Sequence, residues 1–245
     1  MVLEVCAQSL QSAMTAQIGG AQRIEFCSGL ELGGLTPSAA HLQLARERLH
    51  LNICVLIRPR AGDFLYNELE FETILKDVEY CKQLGIDGVV VGCLRPDNTF
   101  DETQMKAIAA VAGNMELVSH RAFDATPNPF EAMETLINLG YHRILTSGQA
   151  NVALDGIPVL KQLVDLAQAR IDIMAGSGVL VTNIEQLARA TGAKDFHSSF
   201  KKGIKSASEQ YQNQNQYNNS HSLDYFETDL AQVQAAVDVL KKLGL

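Results

Sequence analysis

Several charged side chains follow apolar segments of this sequence in positions typical of ligand binding. The segment Asn52–Arg60 has β-branched residues on one parity, and it ends on Arg58, Arg60 and a Gly-Asp turn that contains Asp63. In parallel α/β proteins, ligands bind at the carboxyl ends of such strands. Guanidinium groups form paired hydrogen bonds with carboxylates and phosphates. Arg58 and Arg60 are therefore candidates to bind a small anion.

Charges within the apolar segments indicate which way their side chains point. Where strands alternate with helices, the helices cover the sheet, so a charged strand residue is expected to face the interior or to lie at a strand end. On this basis Glu4, Glu25 and Arg58 point inward. Buried charges are costly unless they are paired. The three side chains could form a structural ion-pair network or take part in a site, and both interpretations stay open.

Two histidines lie at the ends of predicted strands. His120 ends one apolar segment, and His197 alternates with the apolar Phe196. Histidine changes its charge near neutral pH, so these positions favour proton transfer or ligand binding. We expect the histidines to share one mouth of the fold with the carboxylates and arginines. The candidate catalytic residues at that mouth are Glu25, Arg58, Arg60, Asp63, His120, Asp124 and His197.

Cys6 and Cys27 are predicted on adjacent strands with the same inward parity. Neighbouring strands lie about 4.8 Å apart, so the two thiolates could share a soft metal ion such as Cu(I). The alternative is that they are small buried hydrophobes, which is our interpretation of Cys54, Cys81 and Cys93. The sequence has no C-x-x-C motif and no Cys/His spacing typical of zinc.

Two glycine-containing turns follow the apolar segments Arg143–Thr146 and Ile171–Met174, which we predict as strands six and seven. Barrels often bind phosphate through backbone N–H groups of their last loops, and Ser198-Ser199 could supply hydroxyls to the same anion. The alternative is that tight turns need glycine for conformational reasons alone. The residues predicted to bind an anion are Ser147, Gly148, Gly176, Ser177 and Gly178.

The elements that must position these residues alternate along the chain, strand then helix, eight times. The alternation predicts right-handed crossovers and a parallel sheet. Eight units in 245 residues favour a closed (β/α)8 TIM barrel, as one domain over residues 1–245, rather than an open doubly wound sheet. The first turn also lacks G-x-G-x-x-G, which argues against dinucleotide binding. The predicted strands are Val2–Ala7, Gln22–Cys27, Asn52–Arg60, Asp87–Cys93, Met115–His120, Arg143–Thr146, Ile171–Met174 and Lys194–Ser198.

Two segments are less regular. Helix six is predicted over Val152–Ala169, with a bend near Pro158. Residues 200–226 interrupt the alternation, and Gln212–Ser220 is too polar to bury a core. We predict a flexible polar loop at 200–226 after strand eight and a last helix at 227–243. The loop is either a tolerated surface insertion or a lid over the barrel mouth.

Composition and charge exclude several classes of protein. The net charge of -8 argues against a nucleic-acid or anionic-membrane partner. No apolar run is long enough for a transmembrane helix, and the amino terminus lacks the pattern of a signal peptide. Five cysteines, an odd number among apolar residues, favour a reducing cytoplasm. Apolar residues on the outer helices favour a homodimer.

Seven motifs, considered together, resemble the CutC family, in the order in which that family carries them. The resemblance covers about residues 2–199. The motifs are Glu4-Val-Cys6, Gly20-Ala-Gln-Arg-Ile-Glu25, Gly33-Gly-Leu-Thr-Pro37, Ile57-Arg-Pro-Arg-Ala-Gly-Asp-Phe64, His120-Arg-Ala-Phe-Asp124, Leu145-Thr-Ser-Gly148 and Phe196-His-Ser-Ser199.

The resemblance implies a (β/α)8 barrel in the cytoplasm and a role in copper homeostasis, with Cu(I) bound in some members. Cys6 and Cys27 both match cysteine positions of the family. The chain departs from the family at Gly148-Gln149, where two glycines are usual, and at Gly176-Ser-Gly178, where three glycines are usual. It also lacks the His and Met clusters typical of copper carriers, which argues against a dedicated chaperone.

Three hypotheses follow. In the first, the chain handles copper and binds Cu(I) through Cys27, with Cys6 as a second ligand. In the second, it is a barrel enzyme of unknown reaction that acts on a small anionic or phosphorylated metabolite at the carboxyl-terminal mouth. In the third, the barrel serves a protein–protein role through an exposed apolar patch.

Overall fold

Eight parallel strands close into a barrel in the order in which they occur along the chain. The computed structural model describes residues 1–207 and 224–244. Strand β8 pairs with β1, with Glu4 opposite His197, and this pairing closes the sheet. The prediction of a (β/α)8 TIM barrel is therefore confirmed. The strands are β1 (Val2–Ala7), β2 (Arg23–Phe26), β3 (Asn52–Leu56), β4 (Gly88–Val91), β5 (Glu116–Ser119), β6 (Arg143–Thr146), β7 (Asp172–Ala175) and β8 (Asp195–Ser198).

Helices follow the strands and cover the outside of the barrel. Their first turns begin at residues whose side chains accept backbone N–H groups, such as Ser9 and Asp101, as the sequence predicted. None of the helices in the described ranges is long and apolar enough to cross a membrane. The helices are α1 (Leu10–Ile18), α2 (Ala39–Arg48), α3 (Glu68–Gln83), α4 (Glu102–Ala112), α5 (Pro129–Asn138), α6 (Ile157–Ala167), α7 (Ile184–Thr191) and α8 (Leu230–Leu243).

Helix α6 begins five residues later than predicted, at Ile157 instead of Val152. Pro158 lies in its first turn, where its missing N–H costs nothing, and so it marks the helix start instead of a bend. The residues before the helix press against the turn that follows β6. A Cβ atom on Gly156 would lie 1.8 Å from the carbonyl oxygen of Ser147, so only glycine fits at this contact. The helix starts directly after it.

The segment predicted as a polar loop at 200–226 has ordered ends. Strands β9 (Lys201–Ile204) and β10 (Tyr225–Thr228) form an antiparallel pair, as their aromatic and β-branched residues favour. The last helix starts at Leu230 rather than at 227, because the side chain of Asp229 accepts the N–H of Gln232. The low-complexity part of the predicted loop, Gln212–Ser220, lies outside the described residues.

The β9–β10 pair is fastened to the first helix of the barrel. The Glu227 carboxylate accepts a hydrogen bond from Ser9 Oγ at 2.6 Å and another from Ser12 Oγ. Gln8 Nε2 donates to the carbonyl of Phe226 at 2.9 Å. The carboxyl-terminal part of the chain is therefore joined to its amino-terminal part beside the barrel mouth.

Strand residues of alternate parity form two separate cores. Residues such as Val5 and Phe26 face outward and pack under the helices. The interior residues of the other parity include Cys54, Val118 and Met174 in an apolar layer. This arrangement matches the alternation predicted from the sequence, because a strand places successive side chains on opposite faces.

Below the apolar layer, the barrel interior holds an ion-pair network around Arg23. Its Nε lies 2.5 Å from Glu4 Oε2, and its NH2 lies 2.7 Å from Asp195 Oδ2. Arg143 joins Asp195 to Glu116 through two further contacts of 3.1 Å. The structural network that the sequence left open for Glu4 is thus present, although Arg23, not Arg58, is its cation.

The network fixes the charge of Glu4. Burial alone would raise the pKa of this carboxyl, but Arg23 and then His197 outweigh burial and lower the pKa from 4.5 to about 2. A carboxyl with a lowered pKa stabilises the fold above its unfolded pKa. That contribution is therefore complete above about pH 4.5 and is lost as the pH falls towards 2.

Replacing Arg23 should destabilise the barrel strongly. Arg23→Met removes the cation from between two buried carboxylates, and breaking a buried pair in this way costs about 3–5 kcal/mol. We expect urea unfolding to show a fall of this size in the free energy of unfolding. Arg170→Gln is the matched control, because Arg170 pairs with Glu134 on the surface at 2.6 Å, where loss of a pair costs about 1 kcal/mol or less. Equal effects would contradict the interior role of Arg23.

Candidate functional site

A cavity of about 500 Å³ opens at the carboxyl-terminal mouth of the barrel. Strand residues of inward parity line its inner part, and residues that follow β2, β3, β5, β7 and β8 line the rest. Ligand sites of barrel enzymes lie at this end. The cavity is therefore the candidate functional site. Its lining includes Cys6, Glu25, Leu56, Arg58, Phe64, His120, Leu145, Ser177, Gly178, His197 and Lys201.

Three side chains from adjacent strands converge in this cavity. The strand register places Cys6 beside Glu25 and Glu4 beside His197. One ligand atom each from Cys6, Glu25 and His197 lies within 4.8 Å of the others. Cys6 Sγ donates to Glu25 Oε2 at 3.3 Å, and it lies 3.7 Å from the Sγ of Cys27. The inward parity predicted for both cysteines brings their sulfur atoms together.

Burial and neighbouring charges set the protonation of this group. Burial raises the pKa of Glu25 despite the opposing effect of His197. Burial would lower the pKa of His197, but Glu25 and Glu4 outweigh it and raise that pKa. The hydrogen bond with Cys27, followed by burial, raises the pKa of the Cys6 thiol well above its ordinary value. The group therefore holds its protons tightly.

Glu4 determines which nitrogen of His197 faces the cavity group. The Nδ1 of His197 lies 2.8 Å from Glu4 Oε1, and its Nε2 lies 3.6 Å from Glu25 Oε2. Because Glu4 is ionised down to a pKa of about 2, its carboxylate accepts the Nδ1–H. Nε2 is consequently the nitrogen that His197 presents towards Glu25 and Cys6.

Arg58 reaches the cavity, and backbone carbonyl groups accept hydrogen bonds from both of its terminal nitrogens, whereas its buried Nε has no partner among the described residues. Its NH1 donates to the carbonyls of Leu32 and Gly34, and its NH2 donates to that of Gly62 at 2.7 Å. The guanidinium also lies 5.3 Å from the centre of the Phe64 ring. Arg58 thus joins the loops after β2 and β3 and brings a positive charge to the cavity, and its role as an anion clamp stays a prediction.

Arg60 and Asp63 lie outside the cavity lining. Arg60 Nε lies 2.6 Å from Glu70 Oε1, and its NH1 lies 3.0 Å from Asp63 Oδ1. The same guanidinium stacks 5.4 Å from the centre of the Tyr66 ring. The two residues predicted as catalytic therefore hold the loop before α3. The reason is that their side chains leave after β3 has ended, where strand parity no longer directs them.

His120 is a buried histidine with a fixed tautomer. Its Nδ1 accepts the N–H of Ala122 at 3.1 Å, so that nitrogen carries no proton. Burial, and then the charge of Arg58, lower the pKa of His120 to about 3. The neutral ring therefore carries its proton on Nε2, which is buried and has no hydrogen-bond partner within residues 1–207 and 224–244. The ring packs against Phe64, with 4.7 Å between centres.

Asp124 holds the turn that follows β6. Its carboxylate accepts the Oγ1–H of Thr146 at 2.5 Å and the N–H groups of Ser147 and Gln149 at 3.1 and 3.0 Å. Arg121 Nε adds an ion pair at 2.8 Å. With its oxygens occupied in this way, Asp124 positions a turn, and the structure offers no support for its predicted catalytic role.

The residues predicted to bind an anion separate into two groups. Ser147 and Gly148 lie in the β6 turn, where the carboxylate of Asp124 stands in the place that we predicted for an external anion. Ser177 and Gly178 line the cavity. Gly176 lies next to them and must lack a side chain, because a Cβ atom there would lie 2.4 Å from Leu145 Cδ1.

Sequence reasoning missed some of the residues that define the site. Arg23 is two residues before Glu25 in the same strand, so parity alone would have placed it inside. Lys201 lines the mouth from a segment that we interpreted as a loop. No periodic pattern of its neighbours indicates that position.

The fold and the cavity define a (β/α)8 barrel protein with a candidate site at the carboxyl ends of the strands. Among solved structures, the CutC protein of Streptococcus agalactiae, assigned as a copper homeostasis protein, is 32% identical, with a TM-score of 0.79 over 81% of this chain and 98% of that one. Phosphoribosylanthranilate isomerase from Thermotoga maritima, at 12% identity and a TM-score of 0.58 over the whole of both chains, shares the fold alone.

Sequence comparison gives the family. The CutC family model matches residues 1–202. The family protein CutC of Porphyromonas gingivalis is 43% identical over 244 residues, which cover 98% of each chain. A CutC family protein of Bacteroides fragilis is 46% identical over 218 residues, or 87% of this chain and 85% of its own. This chain belongs to the CutC family, as its motifs indicated.

The tautomer of His120 can be checked directly. We expect ¹⁵N spectra of labelled histidine to show His120 neutral and protonated on Nε2 from pH 8 down to pH 5, because its pKa is lowered to about 3. An unfolded histidine, with a pKa of about 6.5, is mostly charged at pH 5, so the same sample in denaturant is the control. A midpoint near 6.5 in the folded protein, or a proton on Nδ1, would contradict the assignment.

Proposed function

We propose that the mouth of the barrel binds Cu(I) and that the protein serves copper homeostasis. The observation that carries this proposal is the convergence of Cys6, Glu25 and His197, whose ligand atoms lie within 4.8 Å of one another. Cys27 adds a second sulfur, 3.7 Å from that of Cys6. The four side chains come from three neighbouring strands of a rigid sheet and its edge, which favours a fixed ligand geometry.

The donor set suits a soft ion. Metal–sulfur bonds are about 2.3 Å long for zinc, so a single ion of similar size can contact two sulfur atoms that are 3.7 Å apart. Thiolate and imidazole ligands favour Cu(I) and zinc over hard ions such as Mg²⁺ and Ca²⁺. The two cysteines and one histidine fit Cu(I), with the Glu25 carboxylate as a weaker neighbour.

The surroundings of His197 support a ligand role. Metal-binding histidines usually donate their other ring N–H to a carboxylate, which fixes the ring and makes it more basic. Glu4 is placed to do this at 2.8 Å from Nδ1 of His197. Arg23 holds Glu4 in turn, at 2.5 Å. The network below the apolar layer therefore orients the nitrogen that would face the ion.

Metal binding in this group must displace protons. The pKa of the Cys6 thiol is raised by its hydrogen bond with Cys27 and by burial, so the thiolate forms only when a cation replaces its proton. Affinity for Cu(I) should consequently increase with pH.

Two further observations support copper handling in the cytoplasm. The Streptococcus agalactiae relative, which has the same barrel, is assigned as a copper homeostasis protein. Cys6, Cys27, Cys54, Cys81 and Cys93 are all buried and unbridged. Free thiols of this kind favour a reducing compartment, and such a compartment keeps copper as Cu(I).

Titration with Cu(I) against a competing chelator tests the metal site. We expect one ion per chain in the reduced protein and a loss of affinity of at least about 100-fold in Cys6→Ser and Cys27→Ser, since removal of an outer-shell partner alone costs about 10–100-fold. Affinity should rise between pH 6 and pH 8, because the thiols must release protons.

Cys81→Ala is the matched control. Cys81 is equally buried, but it lies in the outer core on α3, so its loss should leave Cu(I) affinity unchanged. The proposal fails if Cys27→Ser retains the affinity of the unmodified protein while its circular dichroism spectrum remains native. It also fails if all three variants weaken binding equally.

A second candidate function rests on the size of the cavity. At about 500 Å³ it is far larger than an ion needs and falls within the range of about 300–1,000 Å³ that is typical of small-molecule sites. This observation favours an enzyme that acts on a small anionic metabolite, with Glu25 and His197 as its acid–base pair. The test is turnover of such a metabolite that is lost in Glu25→Gln.

A further inference from the structure

The turn after β7 has an unusual imbalance of hydrogen bonds. The carbonyl groups of Ser177, Gly178 and Val179 accept from Ala153 N at 2.9 Å, from Asn183 Nδ2 at 2.8 Å and from Ser198 Oγ at 2.7 Å. The N–H groups of the same three residues donate to no atom in residues 1–207 or 224–244. Three successive donors are therefore available at the edge of the cavity.

The turn after β6 shows what such a turn binds. Gly148 and Gln149 both have left-handed backbones there, with φ of 70° and 61°. The N–H of Gln149 donates to the carboxylate of Asp124 at 3.0 Å. Ser177 and Gly178 repeat this conformation after β7, with φ of 74° and 70°. The two turns are thus alike in shape, and the first of them holds an oxyanion that belongs to the chain itself.

A left-handed backbone is costly for Ser177, because its Cβ crowds the carbonyl in that region. The hydroxyl of Ser177 donates to the carbonyl of Asn151 at 2.8 Å, which helps to hold the residue there. Strained residues of this kind concentrate at ligand sites, where the surrounding structure fixes them. Backbone turns that present successive unpartnered N–H groups are known to bind anions.

We propose that the turn at residues 176–179 binds the phosphate group of a small phosphate monoester whose remaining atoms occupy the cavity. The inference rests on the second candidate function and deepens it by naming its ligand class, and the phosphate contacts are separate from the proposed metal ligands. The phosphate accepts the N–H of Gly178, the counterpart of the Gln149 N–H that donates to Asp124, together with the N–H groups on either side of it. The N–H of Gly176, in contrast, donates to the carbonyl of Thr146. The apolar side chains of Leu30, Phe64 and Leu145 contact the body of the ligand.

Lys201 supplies charge at this end of the cavity. It lines the mouth from β9. Its Nζ lies 4.7 Å from the centre of the Phe226 ring and has no carboxylate within ion-pair distance in the described residues. The adjacent Lys202, in contrast, pairs with Asp229 at 3.0 Å. Lys201 is therefore the lysine that remains for a phosphate.

His120 gives the ligand a second contact inside the same cavity. It is 5% exposed, and its Nε2 has no partner in the described ranges. With Nδ1 occupied by the N–H of Ala122, the neutral ring offers one N–H donor. Such a donor suits a hydroxyl or carbonyl oxygen rather than a second phosphate, because it brings no positive charge. A phosphate monoester with a neutral oxygen at its other end matches both contacts.

Binding of glycerol 3-phosphate to the metal-free, reduced protein tests this inference. We expect two-dimensional NMR spectra to show saturable shifts of the amide signals of residues 177–179 and of the His120 Nε2 signal. Glycerol, which lacks the phosphate, and glycerate, which has only a carboxylate, should shift them much less. Lys201→Gln should weaken binding about fivefold, whereas Lys194→Gln, a control at the other end of the barrel, should not change it.

Several outcomes would overturn the inference. They are equal shifts with glycerol, equal affinity for glycerate, and equal loss of affinity in the two lysine variants. Cys27→Ser should bind glycerol 3-phosphate normally, and loss of binding in that variant would also count against a site separate from the metal ligands. Binding without turnover of any phosphate monoester would support the inference while it contradicts the enzymatic function, so the two can fail separately.

Discussion

The buried ion pair between Glu4 and Arg23 connects the stability of the barrel with the geometry of its mouth. Glu4 is fully buried, and its two carboxylate oxygens face different partners, Arg23 at 2.5 Å and His197 at 2.8 Å. The first contact makes the carboxylate tolerable inside the sheet. The contact with His197 orients the imidazole so that its Nε2 points towards Cys6 and Glu25. One side chain thus belongs to both the scaffold and the site.

The interior is consequently layered by charge and size. Ion pairs lie at the amino-terminal end of the strands, Cys54, Val118 and Met174 fill the middle, and thiol, carboxyl and imidazole groups lie near the mouth. Parallel pairing in register produces this order, because residues at equal depth on adjacent strands become neighbours. Glu4 connects the two polar layers, because it pairs with Arg23 on one side of the apolar layer and with His197 on the other.

Strand periodicity accounts for most of what could be predicted. It gave the eight-stranded barrel and the inward direction of Cys6, Glu25, Cys27 and His197, because a period of two is fixed by backbone geometry. Beyond the strand ends, periodicity no longer predicts the direction of a side chain. Arg60 and Asp124 were expected at the mouth, but Arg60 pairs with Glu70 at the start of α3, and Asp124 accepts N–H groups from the turn after β6. Parity indicates which face of the sheet a strand residue is on. A long polar side chain in a loop is instead directed by the hydrogen bonds and ion pairs that it can form nearby.

The space beside His120 carries a consequence for how sequences of this family can diverge. Gly92 has no side chain where a Cβ atom would lie 2.6 Å from Cε1 of the imidazole and 2.8 Å from its Nδ1. The ring therefore occupies the space that a side chain at position 92, after β4, would need. A lineage that exchanged the histidine for a smaller residue would still have Ala122 Cβ 2.9 Å from that position, whereas one that kept the histidine would have the ring there as well. Replacement of the glycine should accordingly require changes at both of these neighbours.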